Sequence, residues 1–175
     1  MTLEMMALWW MRFEKDCRIA MFERSPRCST SGEPDVIGVT QGRYLYEIEI
    51  KRSLSDFRAN RRKPFHKIRD LGVEGPNPYP KMFWFLVPNE LVEKVKPEVP
   101  KWAGLLRGPT NDNYYISSVI KAPVNSDSRR LTTKECVRLA HCMANQIFSF
   151  SRSLSENLNW DRYRGRWATG DDYEI

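Results

Sequence analysis

Apolar residues recur at three- and four-residue steps over residues 2–13. Leu3, Met6, Ala7, Trp10 and Phe13 mark one face, and this spacing predicts a helix. Leu8, Trp9 and Met11 make much of its remaining surface apolar, so the helix is expected to be enclosed on more than one side. After a charged turn, CRIAMFE alternates well enough for a strand, and SPRCSTSGEP reads as the loop beyond it. DVIGV and YLYEIEIK are two β-rich runs joined by Thr40, Gln41, Gly42 and Arg43, a hairpin pattern.

Ser53 and Asp56 resemble a capping box, so a helix is expected to start near Leu54 and to end before Pro64. GVEGPNPYP is a loop by composition. MFWFLV is apolar without a break, as a central strand covered on both faces must be. Asn89 is the expected cap of a short helix at ELVEKV, stopped by Pro97 and Pro100, and AGLLR and YYISSVIK read as two further strands. Thr132 and Glu135 form a second capping box before an amphipathic helix carrying Val137, Ala140, Met143, Ala144, Ile147 and Phe148. Beyond Phe150 the periodicity fails. The expectation is an α/β fold: one domain over residues 1–150 with a mixed four- to five-stranded sheet flanked by helices, then a loosely held polar and aromatic tail at 151–175.

Composition narrows the class. With 41% hydrophobic residues and 6 tryptophans among 175 the chain is too apolar for wholesale disorder, and no apolar run reaches the roughly 20 residues of a bilayer crossing. Lys and Arg number 28 against 22 Asp and Glu, a formal +6 that favours polyanionic partners, nucleic acid foremost. MALWWM is not led by a basic segment, so a cytoplasmic protein without a cleaved signal is expected. The four cysteines, at 17, 28, 136 and 142, show no CxxC pair, and reduced thiols rather than a metal site are expected. A Gly-rich nucleotide-binding loop is absent. The two histidines, His66 and His141, give little support to a His-based hydrolase.

The candidate chemistry lies in the hairpin. Along an extended strand Glu47, Glu49 and Lys51 point to one face and Ile48 and Ile50 to the other. If Val39 lies opposite Tyr44, counting back places Asp35 opposite Ile48, one step from Glu49. Two carboxylates and an ammonium so gathered suit a hard, oxygen-liganded cation that holds a phosphate oxygen, with Lys51 orienting water or stabilising charge at phosphorus. The competing reading makes EIEIK the solvent-facing side of an amphipathic strand and Asp35 a turn residue after Pro34.

Pro34–Asp35, a short hairpin and Glu49–Ile50–Lys51 together resemble the PD-(D/E)xK signature of the restriction-endonuclease-like nucleases. The continuation IKRSLSDFRANRRKPFHK, MFWFLVPNELV and EVPKWAGLL is similar to the MmcB-like DNA repair proteins and their phage-encoded relatives, over about residues 33–107. The resemblance implies a restriction-endonuclease-like fold and a Mg²⁺- or Mn²⁺-dependent deoxyribonuclease of DNA repair or phage DNA processing, in a bacterial or phage-infected cell. It implies Asp35 and Glu49 as metal ligands and Lys51 as the catalytic lysine. It also suggests an added acid from the first helix, for which Glu4 is the candidate by placement. The alternative is a module of the same fold that binds nucleic acid or protein without cutting. A structural or regulatory protein whose basic face meets an acidic partner is a third reading.

For DNA contacts, Arg58, Arg61 and Arg62 fall on one face of the helix after Ser53, and Lys63, Lys67 and Arg69 extend the positive charge past Pro64. Arg129 and Arg130 are further candidates. In the tail Trp160, Tyr163 and Trp167 interleave with Arg162, Arg164 and Arg166; they suit stacking on unpaired bases or anchoring the tail to the body or to a second copy in a homodimer.

Overall fold

Among the described residues six strands make one mixed sheet and lie in it in their sequence order: β1 (Cys17–Phe22), β2 (Val36–Thr40), β3 (Leu45–Ile50), β4 (Met82–Val87), β5 (Gly104–Arg107) and β6 (Ser117–Ile120). The computed structural model describes residues 1–22, 34–60, 80–111 and 115–157. β3, β4 and β5 run parallel, and β1–β2, β2–β3 and β5–β6 pair antiparallel. The α/β class with a mixed sheet flanked by helices is therefore as expected. The strand count of six corrects the four to five read from the sequence, because each run that read as a strand joins the same sheet.

Helix α1 (Leu3–Trp9) continues as a π-helical turn over Trp10–Glu14, closed by Lys15 N–H donating to the Trp10 carbonyl at 3.1 Å. It covers one sheet face. Trp10, Met11, Ile48, Trp84, Leu86 and Leu106 are buried there, with Trp10 and Trp84 edge to face at 5.2 Å. The unbroken apolar run of β4 now has its reason. Trp84 and Leu86 serve this cluster, while Phe83, Phe85 and Val87 pack on the other face against Phe57, Val92, Val95 and Leu105. That second face carries α2 (Leu54–Asn60) and α3 (Val92–Val95). Under α4 (Thr133–Asn157), Met21, Ile37, Val39 and Leu45 meet Leu131 and Leu139. Each such fully buried side chain contributes roughly 1.5–3 kcal/mol.

Both capping boxes place a helix start. Ser53 Oγ accepts from the Asp56 amide at 3.1 Å. Thr132 and Glu135 bond reciprocally, through Glu135 N to Thr132 Oγ1 at 3.2 Å and Thr132 N to Glu135 Oε2 at 2.7 Å. At Asn89 the expectation fails: a 3₁₀ turn, Asn89–Leu91, starts after Pro88 with no side-chain cap before α3. α4 runs through Asn157, past Phe150 where the periodicity of the sequence lapses, and the remaining tail residues, 158–175, lie outside the described residues. Cys17 and Cys136 are free thiols, whereas Cys142 is in a disulfide, so reduced thiols do not hold at that position. Among the described residues no helix is long and apolar enough to cross a membrane.

Candidate functional site

The turn of the β2–β3 hairpin sets the site's register. Thr40 and Tyr44 still bond, Thr40 N to Tyr44 O at 3.0 Å, so the loop holds only Gln41, Gly42 and Arg43, with Arg43 at φ 63° in the left-handed region. Val39 therefore pairs with Leu45 and Val36 with Ile48. This moves the expected register by one residue. Asp35 continues the ladder toward Glu49, rather than Ile48 as counted from the sequence. The shift brings the aspartate to the face of Glu49 and Lys51, since Asp35, Ile37 and Val39 alternate onto the same side.

The Asp35 carboxylate is anchored to backbone. Its Oδ2 accepts from the Ile50 amide at 2.6 Å, between Glu49 and Lys51, and its own N–H donates to the Ile48 carbonyl at 3.1 Å. Lys51 Nζ donates to Glu49 Oε1 at 2.8 Å and lies 3.6 Å from Asp56 Oδ1. Lys51 N–H also reaches the Leu86 carbonyl at 2.9 Å, pinning the end of β3 to β4.

These charged groups are not solvent-facing. Glu47, Glu49 and Lys51 are only 1%, 4% and 5% exposed, which corrects the amphipathic-strand reading of EIEIK. Register explains it: Glu47 lies between Ile37 and Phe83, and Glu49 neighbours Phe85, so both acids sit among the apolar residues of the α2/α4 face. Taking charges out of water is costly unless they are paired or hydrogen-bonded, and the Lys51–Glu49 pair answers that demand in part.

Asp56, a capping residue by its sequence spacing, also approaches Lys51. Its place beside Lys51 follows from the turn that Ser53 starts, and the Ser-x-x-Asp spacing close after the lysine was the signal that could have found it. Glu4, in the first turn of α1, engages Arg52, and hydrogen bonds hold its carboxyl below the usual range against the opposing effect of burial. The structure thus gives Glu4 an arginine partner, the residue that follows Lys51. Arg58 forks onto Glu98, with Nε 3.1 Å from each carboxylate oxygen. Arg61, Arg62, Lys63, Lys67 and Arg69, like His66 and the tail aromatics, lie outside the described residues. Arg129 is held by Glu135 at 2.7 Å.

A divalent cation fits the donor chemistry. Two carboxylates on one face, one oriented by a backbone amide, are what Mg²⁺ takes when waters and phosphate oxygens complete its shell. Among the described residues no group of three or more His, Cys, Asp and Glu converges to hold a metal.

No family model matches the chain, and no curated protein matches it. Among solved structures, a protein of unknown function from Silicibacter pomeroyi is similar at a TM-score of 0.47 and 17% identity, over 89% of this chain and 83% of that one.

Proposed function

We propose that this chain is a metal-dependent nuclease of the PD-(D/E)xK type, with a restriction-endonuclease-like fold, that hydrolyses phosphodiester bonds of DNA. The observation that carries the reading is the Asp35–Ile50 hydrogen bond of 2.6 Å, which sets the aspartate beside a glutamate and a lysine at the carboxyl end of a parallel strand. Ligand sites of open α/β sheets favour such strand ends. Asp35 and Glu49 would hold the cation, Mg²⁺ or Mn²⁺. When bound, it supplies Lewis-acid polarisation of the phosphate and eases deprotonation of water. Lys51 offers its ammonium to the charge developing on phosphorus and helps to orient the attacking water. Water adds to phosphorus as the bond to the leaving sugar oxygen breaks; one proton passes to solvent and the leaving oxygen takes one up. Asp56, 3.6 Å from Lys51 Nζ, gives the lysine a second carboxylate within reach and would keep it partnered were Glu49 to ligate the cation.

The test is a panel of labelled single- and double-stranded DNA and RNA with Mg²⁺, Mn²⁺ or EDTA. Cleavage of DNA only with the metals supports the reading. The tight Lys51–Glu49 pair, 2.8 Å and buried, favours a second reading in which the site is closed and the domain binds nucleic acid without cutting. Salt-sensitive binding with no cleavage under either metal is its outcome.

A further inference from the structure

At the other end of β3 and β4, two cations face the ring of Tyr44 and a third, Arg43, precedes it in the chain. Lys81 Nζ stands 4.9 Å from the centroid of the tyrosine ring and the Arg130 guanidinium carbon 5.5 Å from it. Arg130 Nε also donates to the phenol oxygen at 3.3 Å. Arg43, the neighbouring residue of Tyr44, donates to Thr133 Oγ1 at 3.5 Å. Among the described residues none of the three is within ion-pair distance of a carboxylate, whereas Arg12 and Arg18 share Asp16 and Arg52, Arg58 and Arg129 each have a glutamate. Arg43 and Arg130 are exposed.

The patch is fixed by backbone. Leu131 N donates to Arg43 O at 2.8 Å, Asn125 N to Lys81 O at 2.9 Å and Lys81 N to Leu45 O at 2.6 Å, so three separate segments present their cations from one rigid end of the sheet. An aromatic ring faced by cations favours them by its quadrupole. Arg130 also holds the Tyr44 phenol below its ordinary range. The charge comes from three separate segments, two of its side chains solvent-facing, which suits a chain of repeating anionic groups better than one enclosed anion. The formal +6 of the protein points the same way.

We infer that Lys81 and Arg130, which face Tyr44, and the adjoining Arg43 form a binding surface for the phosphodiester backbone of nucleic acid, separate from the Asp35–Glu49–Lys51 face. Tyr44 and Lys51 are seven residues apart along β3, roughly 20 Å at an extended rise. The inference rests on the nucleic-acid part of the proposed function and not on cleavage.

The experiment is fluorescence anisotropy of a labelled duplex in EDTA, titrated at several salt concentrations, for the full chain and for Arg43→Gln/Lys81→Gln/Arg130→Gln. Lys94→Gln/Lys101→Gln/Lys121→Gln serves as a charge-matched control, and single variants stand in should a triple variant lose its melting transition. Each patch residue that meets a phosphate lowers the salt slope by about one, so the triple variant is expected to lose two to three from the slope and about tenfold or more in affinity. The control is expected to change affinity by less than about threefold. Equal losses in patch variant and control, unchanged binding by the patch variant, or equal competition by polyglutamate of matched charge overturns the inference. Patch-dependent binding in a protein that cuts nothing supports the surface and sinks the nuclease; cutting that ignores the patch does the reverse.

Discussion

Asp35 and Ile50 are joined from side chain to backbone: Asp35 Oδ2 accepts from the Ile50 amide at 2.6 Å, at the point where β3 presents Glu49 and Lys51. The bond gives the aspartate a structural role beside the metal-binding one proposed for it, and the two separate by substitution. Asp35→Asn keeps an acceptor for the amide and is expected to stay within about 1 kcal/mol of the parent. Asp35→Ala leaves a part-buried amide without this acceptor and is expected to lose about 1–3 kcal/mol. Both variants are expected to be inactive as nucleases. Urea denaturation alongside cleavage checks this; equal stability of the two would remove the structural role.

Lys51 and Glu49 are buried together, so removing either one alone strands the other's charge. Lys51→Met is expected to cost about 3–5 kcal/mol, and Glu49→Gln/Lys51→Met to recover much of that loss. A double-mutant cycle read by chemical denaturation measures the coupling. Additive single effects would mean that the buried pair is not a unit.

Both helix starts were legible in the sequence because capping is local: Ser53–Asp56 and Thr132–Glu135 need only a few consecutive residues to act. The unbroken run Met82–Val87 was legible for a related reason, since only a strand covered on both faces tolerates it. The hairpin register was not. It depends on Arg43 entering the left-handed region, which a non-glycine residue does rarely, and that single choice leaves a three-residue loop and moves Asp35 from Ile48 to Glu49. Nor was the burial of Glu47 and Glu49 legible. Alternating charges look like a solvent face until β4 and the flanking elements, distant in sequence, cover them. Asp56 was visible as a cap, but its approach to Lys51 is a tertiary fact.

The α4 start is a pH-dependent element. Hydrogen bonds from Arg129 first, and from Thr132, hold the Glu135 carboxyl down at about 2 against the effect of burial. Its unfolded value is near 4.3, so the folded-state value is the lower one. The stabilisation is therefore complete above the unfolded value and is lost as pH falls from about 4.3 toward 2. Thermal melts between pH 6 and pH 2 should show a smaller decline for Glu135→Gln than for the parent. Thr132→Ala should cost about 1 kcal/mol at neutral pH. An unchanged pH profile in the Gln variant would contradict this account of the cap.

Burial pushes the Cys17 thiol up to about 12, and its side chain is fully enclosed beneath α1. A thiolate is the reactive form, so Cys17 in the native protein is expected to resist a thiol reagent at pH 8 and to react on unfolding in guanidinium. Peptide mapping after pulse labelling reads the site; rapid native labelling of Cys17 would contradict its enclosure.

A cation meeting Asp35 and Glu49 is tested most directly by titrating the purified full-length protein with Mn²⁺ and following the free-ion signal by electron paramagnetic resonance. One bound Mn²⁺ per chain, weakened at least about tenfold in both Asp35→Asn and Glu49→Gln while each variant keeps its melting transition, is the predicted result. Binding that neither substitution changes, or no binding at millimolar Mn²⁺ by the folded parent, would contradict it.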